Sequence, residues 1–313
     1  MRSEQWVVVG ASGFVGRHVA AAARDAGAVV RELSAPRLTA PSEGVPDTLI
    51  RLATDPQDGS VAATAGALVG ADVVVNCAGL AAPDAPASPE LTGANALLPA
   101  VLLAASPPAA RFVHLSSAAV QGNRPRLDES PDTSPASPYA VSKALGEATL
   151  LAMPHAAAAV IVRATSVQGS DRATTRRLRR VAGSPLASVA APGDQPTPVT
   201  SVSALAQLVV AVARHPGDVP PIVLQPWEGM TTSAVLRVAS GGREPRQLPA
   251  GLCRALVRTG HLATRLLGGR FVGAVRRIEV MWFGQGQEPG WCERTGVEIT
   301  PRVVDALTPG GHA

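Results

Sequence analysis

The sequence contains one tyrosine, and only one of its 28 Lys and Arg residues is a lysine. These are Tyr139 and Lys143, in the stretch SPYAVSK at 137–143. On a helix, residues four apart share a face. Ser137 suits an N-cap and Pro138 the first helical position, so the stretch reads as a helix start. A tyrosine phenol ionises near pH ~10. A nearby ammonium favours the phenolate and brings the group toward use as an acid or base at neutral pH. An arginine fork is a poor substitute for a compact ammonium that can also bond a ribose hydroxyl. Chance would place a lone Lys four residues after a lone Tyr in roughly one chain in 300. The plainer alternative is a helix with a partly buried Tyr and a surface Lys.

A second pattern stands near the start. WVVVG leads into Gly10-Ala11-Ser12-Gly13-Phe14-Val15-Gly16, with Arg17 next. Glycines spaced G-x-x-G-x-x-G between a strand and a helix form a dinucleotide-binding turn. Gly10 permits the turn, Gly13 lets backbone approach a pyrophosphate, and Gly16 lets helix and strand pack closely. The helix start, with Ser12, Phe14 and Val15, then offers N–H groups to phosphates. An acidic residue at the end of the second strand would hold a ribose 2′-hydroxyl. Glu32 lies slightly early there, and Ser34 and Arg37 follow. With Arg17 they suit a 2′-phosphate, which favours NADP and leaves NAD open. Solvated arginines would look the same.

These groups need a frame. Apolar runs at 6–10, 28–33, 71–79, 111–117 and 157–165 read as strands. Helical stretches at 17–27, 60–69, 92–106 and 137–153 alternate with them, and 201–215 and 220–226 add a helix and a strand. The alternation predicts an α/β fold: a Rossmann-type, doubly wound parallel sheet. Residues 1–163, rejoined by 198–224, form the dinucleotide-binding domain. Residues 164–197 and 225–313 form a smaller, C-terminal substrate-binding lobe, with an Arg-rich helix within 172–190 and two helices after 230.

Composition narrows the class. Hydrophobic residues make up 46% and aromatics 3%, so Ala, Val and Leu must fill the core. The net charge is +4, and no basic run is interleaved with aromatics, which argues against nucleic acid. Cys77, Cys253 and Cys292 lack metal or disulfide spacing, and the six His show no metal pattern, so no metal is expected and a reducing cytoplasm is the default. The opening residues do not read as a signal peptide. Residues 91–110 carry no charge over about the length of a membrane span. Their prolines and polar residues point instead to a buried or interface helix, so no membrane partner is expected.

The chain resembles the extended short-chain dehydrogenase/reductases, in the branch of nucleotide-sugar epimerases, dehydratases and reductases. The likeness covers most of residues 5–225. It is carried by the glycine loop, Asp55 in RLATDPQD, NCAG at 76–79, Asn95, FVHLSSAAVQG at 112–122, the SPYAVSK stretch with Glu147 beyond it, VIVRATSVQG at 160–169 and TPVTSVSALAQLV at 197–209. The resemblance implies that Asp55 faces the adenine and that Ala78, Gly79 and Asn95 lie along the cofactor. It implies that Ser117 bonds the substrate oxygen while Tyr139 moves the proton and Lys143 grips the nicotinamide ribose. Homodimers in the family commonly pair helices equivalent to 91–105 and 138–152. Gln121 and Gln168 stand where the family often has tyrosine, and Ala164 where proline is frequent. Ala118 and Ala119 stand where dehydrating members carry an acid or second base.

The resulting expectation is NADP-dependent reduction of a keto group on a nucleotide-activated deoxysugar. Gln168, Arg176 and Arg180 join Ser117 as expected substrate contacts, with Arg172 sharing the arginine face. An epimerase, a reductase of a non-sugar ketone or aldehyde, and a non-catalytic cofactor sensor are the alternatives. Arg254, Arg258 and Arg265 read as the wet side of an amphipathic helix, and Trp282 and Phe283 as core.

Overall fold

The computed structural model describes residues 3–55, 57–81, 85–154, 159–266 and 272–310. In chain order the first elements are β1 (Gln5–Val9), α1 (Phe14–Asp25), β2 (Val29–Leu33), α2 (Pro46–Ala53), α3 (Gly59–Leu68) and β3 (Val73–Asn76). A continuous helical stretch follows: α4 (Pro89–Thr92), a π-helical turn (Gly93–Leu97) and α5 (Leu98–Ala105). Then come β4 (Arg111–Ser117), a 3-10 turn (Ala118–Gln121), β5 (Arg126–Leu127), α6 (Pro138–Ala152) and β6 (Ala159–Ala164). The chain continues through β7 (Ser166–Gln168), α7 (Ala173–Ala182), β8 (Ser188–Ala190), β9 (Val199–Ser201), α8 (Val202–Arg214) and β10 (Ile222–Leu224). It ends with α9 (Thr232–Ala239), β11 (Arg246–Leu248), α10 (Ala250–Leu266), α11 (Val272–Phe283), β12 (Gly286–Gln287), α12 (Trp291–Thr295) and α13 (Val303–Leu307).

These elements fall into two units. The first comprises residues 1–121, 129–164 and 206–224, and the second residues 122–128, 165–205 and 225–313. The first is built on a six-stranded parallel sheet in the order β10-β6-β4-β3-β1-β2. Strands β1, β3 and β6 are short apolar runs buried on both faces, as a helix-covered parallel sheet requires. The chain leaves β1 to one side for β2 and returns to the other side for β3. That reversal creates a crevice at the carboxyl ends of β1 and β3, where doubly wound sheets bind ligands.

Helix α1 packs through Gly16, Val19, Ala20 and Ala23, the i, i+3, i+4, i+7 stripe of an amphipathic helix. The charge-free run is core: Leu98 to Leu103 are all buried, among Leu49 and Ala53 of α2, Phe112 of β4 and Leu150 of α6. No helix among the described residues is long and apolar enough to cross a membrane.

The second unit contains three small parallel ladders, β7 with β9, β8 with β11, and β5 with β12. Its core joins Val189, Met230, Leu236, Val303 and Leu307. The Glu228 carboxylate fastens it: it accepts from the backbone N–H of Ser201 (2.7 Å), Arg302 (2.7 Å) and Val303 (2.8 Å).

Several local readings change. Residues 46–53 form a helix that the sequence reading passed over, although Pro46 at its start and Leu49 and Ala53 four apart mark it. The 92–106 helix begins at Pro89 and carries a π turn. The strand expected over 71–79 is confined to 73–76. The first two residues of the strand expected over 157–165 lie outside the described residues. The Arg-rich helix ends at Ala182 and a strand occupies 188–190. After residue 230 the described residues hold five helical segments, where two helices were expected. The unforeseen strands are two or three residues long, too short for alternation to register.

Candidate active site

The glycine loop sits at the sheet's reversal point. Gly10 adopts φ +79° and donates its N–H to Leu33 O at 2.8 Å, tying the turn to β2. A Cβ on Gly16 would stand 2.2 Å from the Gly10 carbonyl oxygen, so any side chain there would push α1 off the turn. Gly13 caps α1 without a side-chain hydrogen bond, and the first turn holds no acidic residue. The positive end of the helix therefore faces an approach lined by exposed Ser12 and Gly13, the arrangement a phosphate needs. Phe14 and Val15 are half-buried, and the exposed Arg17 guanidinium lies 5.3 Å over the Phe14 ring.

Beyond β2, Ser34 and Arg37 are exposed. Glu32, the nearest acid to the ribose position, is bound by Arg24 at 2.6 Å. Asp55 follows α2 and accepts the Gln57 N–H at 2.9 Å. It closes a local turn there, and β2 remains the sheet edge.

The Tyr–Lys pair starts α6. Ser137 caps the helix by accepting the Ala140 N–H, with Pro138 in the first turn. Tyr139 is half-buried, whereas Lys143 is only 5% exposed. The Lys143 ammonium donates to Leu115 O at 2.9 Å, two residues before Ser117 on β4. A Cβ on Gly79 would lie 3.2 Å from Lys143 Nζ, so the backbone leaving β3 passes directly against the ammonium. Burial lowers the Lys143 pKa to about 8, against the opposing pull of Glu147 and Cys77. Burial also pushes the Cys77 thiol up to about 12. Half-buried Ser117 accepts the Ala119 N–H at 3.2 Å, which leaves its own proton to donate.

A charged network lies beneath these groups. Ser116 donates to Glu147 Oε1 at 2.5 Å, and Arg163 Nη2 bonds Glu147 Oε2 at 2.6 Å. Arg163 also donates to Ser130 O at 2.7 Å and is fully buried. The network joins β4, α6 and β6 and sets a carboxylate one turn beyond Lys143. Asn95, in the π turn, is also buried. It accepts the Leu80 N–H at 3.0 Å and donates to Leu80 O and Ser142 Oγ. It thus braces the segment after Gly79 against α6. Asn76 accepts the Ala78 N–H through Oδ1, so its amide NH₂ faces His114 Nδ1 at 3.1 Å. That fixes the imidazole proton on Nε2, and burial holds the His114 pKa well below its usual value.

The first unit thus gathers Gly10, Ala78, Gly79, Asn95, Ser117, Tyr139 and Lys143 around the carboxyl ends of β1, β3 and β4. The remaining substrate candidates belong to the second unit. Gln168 is buried there with its amide engaged: it donates to Ser166 O and Oγ and accepts from Thr175. Arg176 is exposed and donates to its own neighbour Asp171 O, and Arg180 is exposed. Their neighbour Arg179 caps α13 through Ala306 O and Leu307 O. Trp282 donates to Ser188 Oγ, and Phe283 lies under Arg254.

Sequence reading missed Arg163 and Ser142. A lone arginine inside the apolar run VIVRA was the available signal for the first. Nothing local marked Ser142, because its partner is 47 residues away.

A sheet with this reversal point and a glycine turn on its first strand is the frame of a nicotinamide-dinucleotide enzyme of the extended short-chain dehydrogenase/reductase type. The sequence model of the NAD dependent epimerase/dehydratase family matches residues 6–222, and the chain belongs to that family. No curated protein matches the chain. Among solved structures, MoeE5 in complex with UDP-glucuronic acid and NAD is 21% identical with TM-score 0.56, covering 95% of this chain and 98% of that one. The dTDP-4-dehydrorhamnose reductase of Bacillus anthracis, in complex with NADP, is 18% identical with TM-score 0.54, covering 72% and 75%. The UDP-glucuronic acid 4-epimerase of Bacillus cereus, with UDP-glucuronic acid and NAD, is 20% identical with TM-score 0.53, covering 79% and 87%. At these identities the likeness establishes the fold.

Proposed function

We propose that the protein is an NADP-dependent ketoreductase acting on the keto group of a nucleotide-activated deoxysugar. The observation that carries the reading is the buried Lys143 ammonium, held on Leu115 O beside Ser117 and against the backbone at Gly79. The residues present suit a dinucleotide: the glycine cradle leaves no room for side chains at Gly10 and Gly16, and the start of α1 is uncapped by any side chain. When bound, the cofactor would supply hydride from its nicotinamide ring. Gly10, Ser12, Gly13 and the first turn of α1 would hold the pyrophosphate. Exposed Ser34 and Arg37, with Arg17, would receive a 2′-phosphate, since Glu32 is occupied by Arg24.

Ser117 donates a hydrogen bond to the substrate carbonyl oxygen, where negative charge develops. Tyr139 delivers the proton to that oxygen. Lys143 holds its positive charge one helical turn from Tyr139 and would bond the nicotinamide ribose. Ala118 and Ala119 provide no second acid or base, which favours simple reduction over dehydration. Relatives of the same fold that carry nucleotide sugars in their structures support the substrate class. A cytoplasmic location and a homodimer belong to the same proposal. The dimer would use the outward face of α6, where Val141 is exposed, because Leu98–Leu103 are already covered by their own unit.

The test is oxidation of NADPH and NADH with a panel of nucleotide-linked 4-keto sugars, beside Tyr139→Phe. NADPH-dependent turnover lost in the variant supports the reading. Isomerised sugar without net oxidation would replace it with an epimerase, and no change on the panel would end the sugar assignment.

A further inference from the structure

Helix α10 buries only one narrow side. Cys253, Val257 and Thr264 are its buried residues, and at 3.6 residues per turn they lie within about 40° of one another. Leu252, Leu256, Leu262 and Leu266 point outward and are 50%, 50%, 59% and 80% exposed. With Ala255 and Ala263, also exposed, they form a stripe about 120° wide that is apolar except for Thr259, whose hydroxyl is turned back onto Ala255 O. Arg254, Arg258 and Arg265 form a separate exposed stripe between that apolar surface and the buried side. The arginines are therefore a flank, and the face turned furthest outward is leucine.

The sequence around this helix is one-sided in charge, and the carboxylate that meets α10, Glu279 on His261, is itself paired with Arg276. Between Glu244 and Glu279 there is no Asp or Glu, and there are seven Arg. Outside that segment the chain holds 21 basic residues against 24 acidic ones, from totals of 28 and 24. The protein's whole positive excess is concentrated in this stretch. A second copy of the helix would bring arginine against arginine, which disfavours self-pairing. A convex helix with leucines outermost and arginines along one border instead matches a plane that is apolar inside and anionic at its surface. Leucines enter the headgroup–acyl boundary while guanidinium groups remain at the phosphates.

We propose that the outer face of α10 docks the protein on an anionic lipid bilayer, the leucine stripe inserted at the boundary and the arginine stripe at the lipid phosphates. This is surface attachment, compatible with no helix among the described residues being long and apolar enough to span.

The experiment is co-sedimentation of the full chain with phosphatidylcholine vesicles, with and without phosphatidylglycerol, at low and high salt. Each arginine near an anionic surface is worth about fivefold in partitioning, so three predict a preference for anionic vesicles of roughly a hundredfold. Leu256→Glu/Leu262→Glu should abolish binding, and Arg258→Glu/Arg265→Glu should abolish the anionic preference. Both pairs are exposed, so thermal melts should match the wild type. A wild-type protein that stays in the supernatant with anionic vesicles at low salt overturns the proposal. So does sedimentation indifferent to both double variants. Self-association that Leu256→Glu/Leu262→Glu dissolves, without vesicle binding, would reassign the face to a contact between copies.

Discussion

Replacing Glu147 by Gln should move the titration of Lys143 downward, and this protein permits an unusually clean reading of it. Burial already lowers that ammonium to about 8, and Glu147 is the largest opposing influence. One helical turn separates the two side chains, about 6 Å. At an effective dielectric of about 20, a unit charge at that range contributes roughly 3 kcal/mol, or about 2 pK units. Arg163 lies 2.6 Å from the same carboxylate and offsets part of that field. A net fall of about one unit follows. Since Lys143 is the sole lysine, protein grown on lysine labelled at Cε gives a single side-chain lysine resonance, whose shift against pH is the titration curve.

The expected result is a wild-type midpoint near 8, lower in Glu147→Gln, with the alkaline limb of turnover moving by the same amount. Glutamine retains the acceptor for Ser116, so loss of the hydrogen bond would not mimic the shift. A wild-type lysine that titrates at its ordinary value near 10.5 would refute the burial argument. An unchanged midpoint in Glu147→Gln would refute the claim that this carboxylate keeps the ammonium charged.

Four further outcomes follow from the same geometry. The folded pKa of Lys143 lies below the unfolded value, so between about 8 and 10.5 the unfolded chain binds more protons and stability should rise with pH. At pH 7 the buried charge is present, so Lys143→Met should raise stability by ~1–3 kcal/mol while removing turnover, and the gain should shrink between pH ~8 and ~10.5 and vanish above; denaturant titrations across that range read it. Ser117→Ala should lower kcat by roughly 10²–10³ with an unchanged melt, whereas Ser116→Ala, which strips the buried Glu147 of a donor, should cost about 1–3 kcal/mol of stability. Gly16→Ala sets a Cβ 2.2 Å from the Gly10 carbonyl and should abolish cofactor binding measured by calorimetry. Arg37→Ala should weaken NADPH binding about tenfold and leave NADH unchanged, because one charge-assisted contact to a phosphate is lost.

The parallel sheet was legible because each of its buried strands writes itself as a short apolar run closed by a turn: WVVVG, DVVVN and AVIVRA need no partner to be recognised. The glycine loop and SPYAVSK were legible for a related reason. Each is a local device whose spacing has geometric meaning before any tertiary contact forms. What escaped depends on distant partners. Ser142 matters because its hydroxyl meets the Asn95 amide, 47 residues away. Arg163 is tolerable inside β6 only because Glu147 and Ser130 meet it there.

Helix α2 shows the limit from the other direction. PDTLIRLA carries a helix start and a four-residue apolar spacing, but eight residues fall below the length at which an isolated helix holds itself together. Leu49 and Ala53 are fixed by burial among Phe112 and Leu150, residues from another part of the chain. The same reasoning separates the arginines. On α7, Arg179 is spent on the carbonyls that end α13, and Arg176 on the loop before its own helix. On α10 the leucines beside the arginines are the unsatisfied groups. A helix wheel drawn from sequence assigns one wet side and one dry side. Only the burial pattern reveals that α10 has two apolar sides, one facing its own unit and the other facing outward.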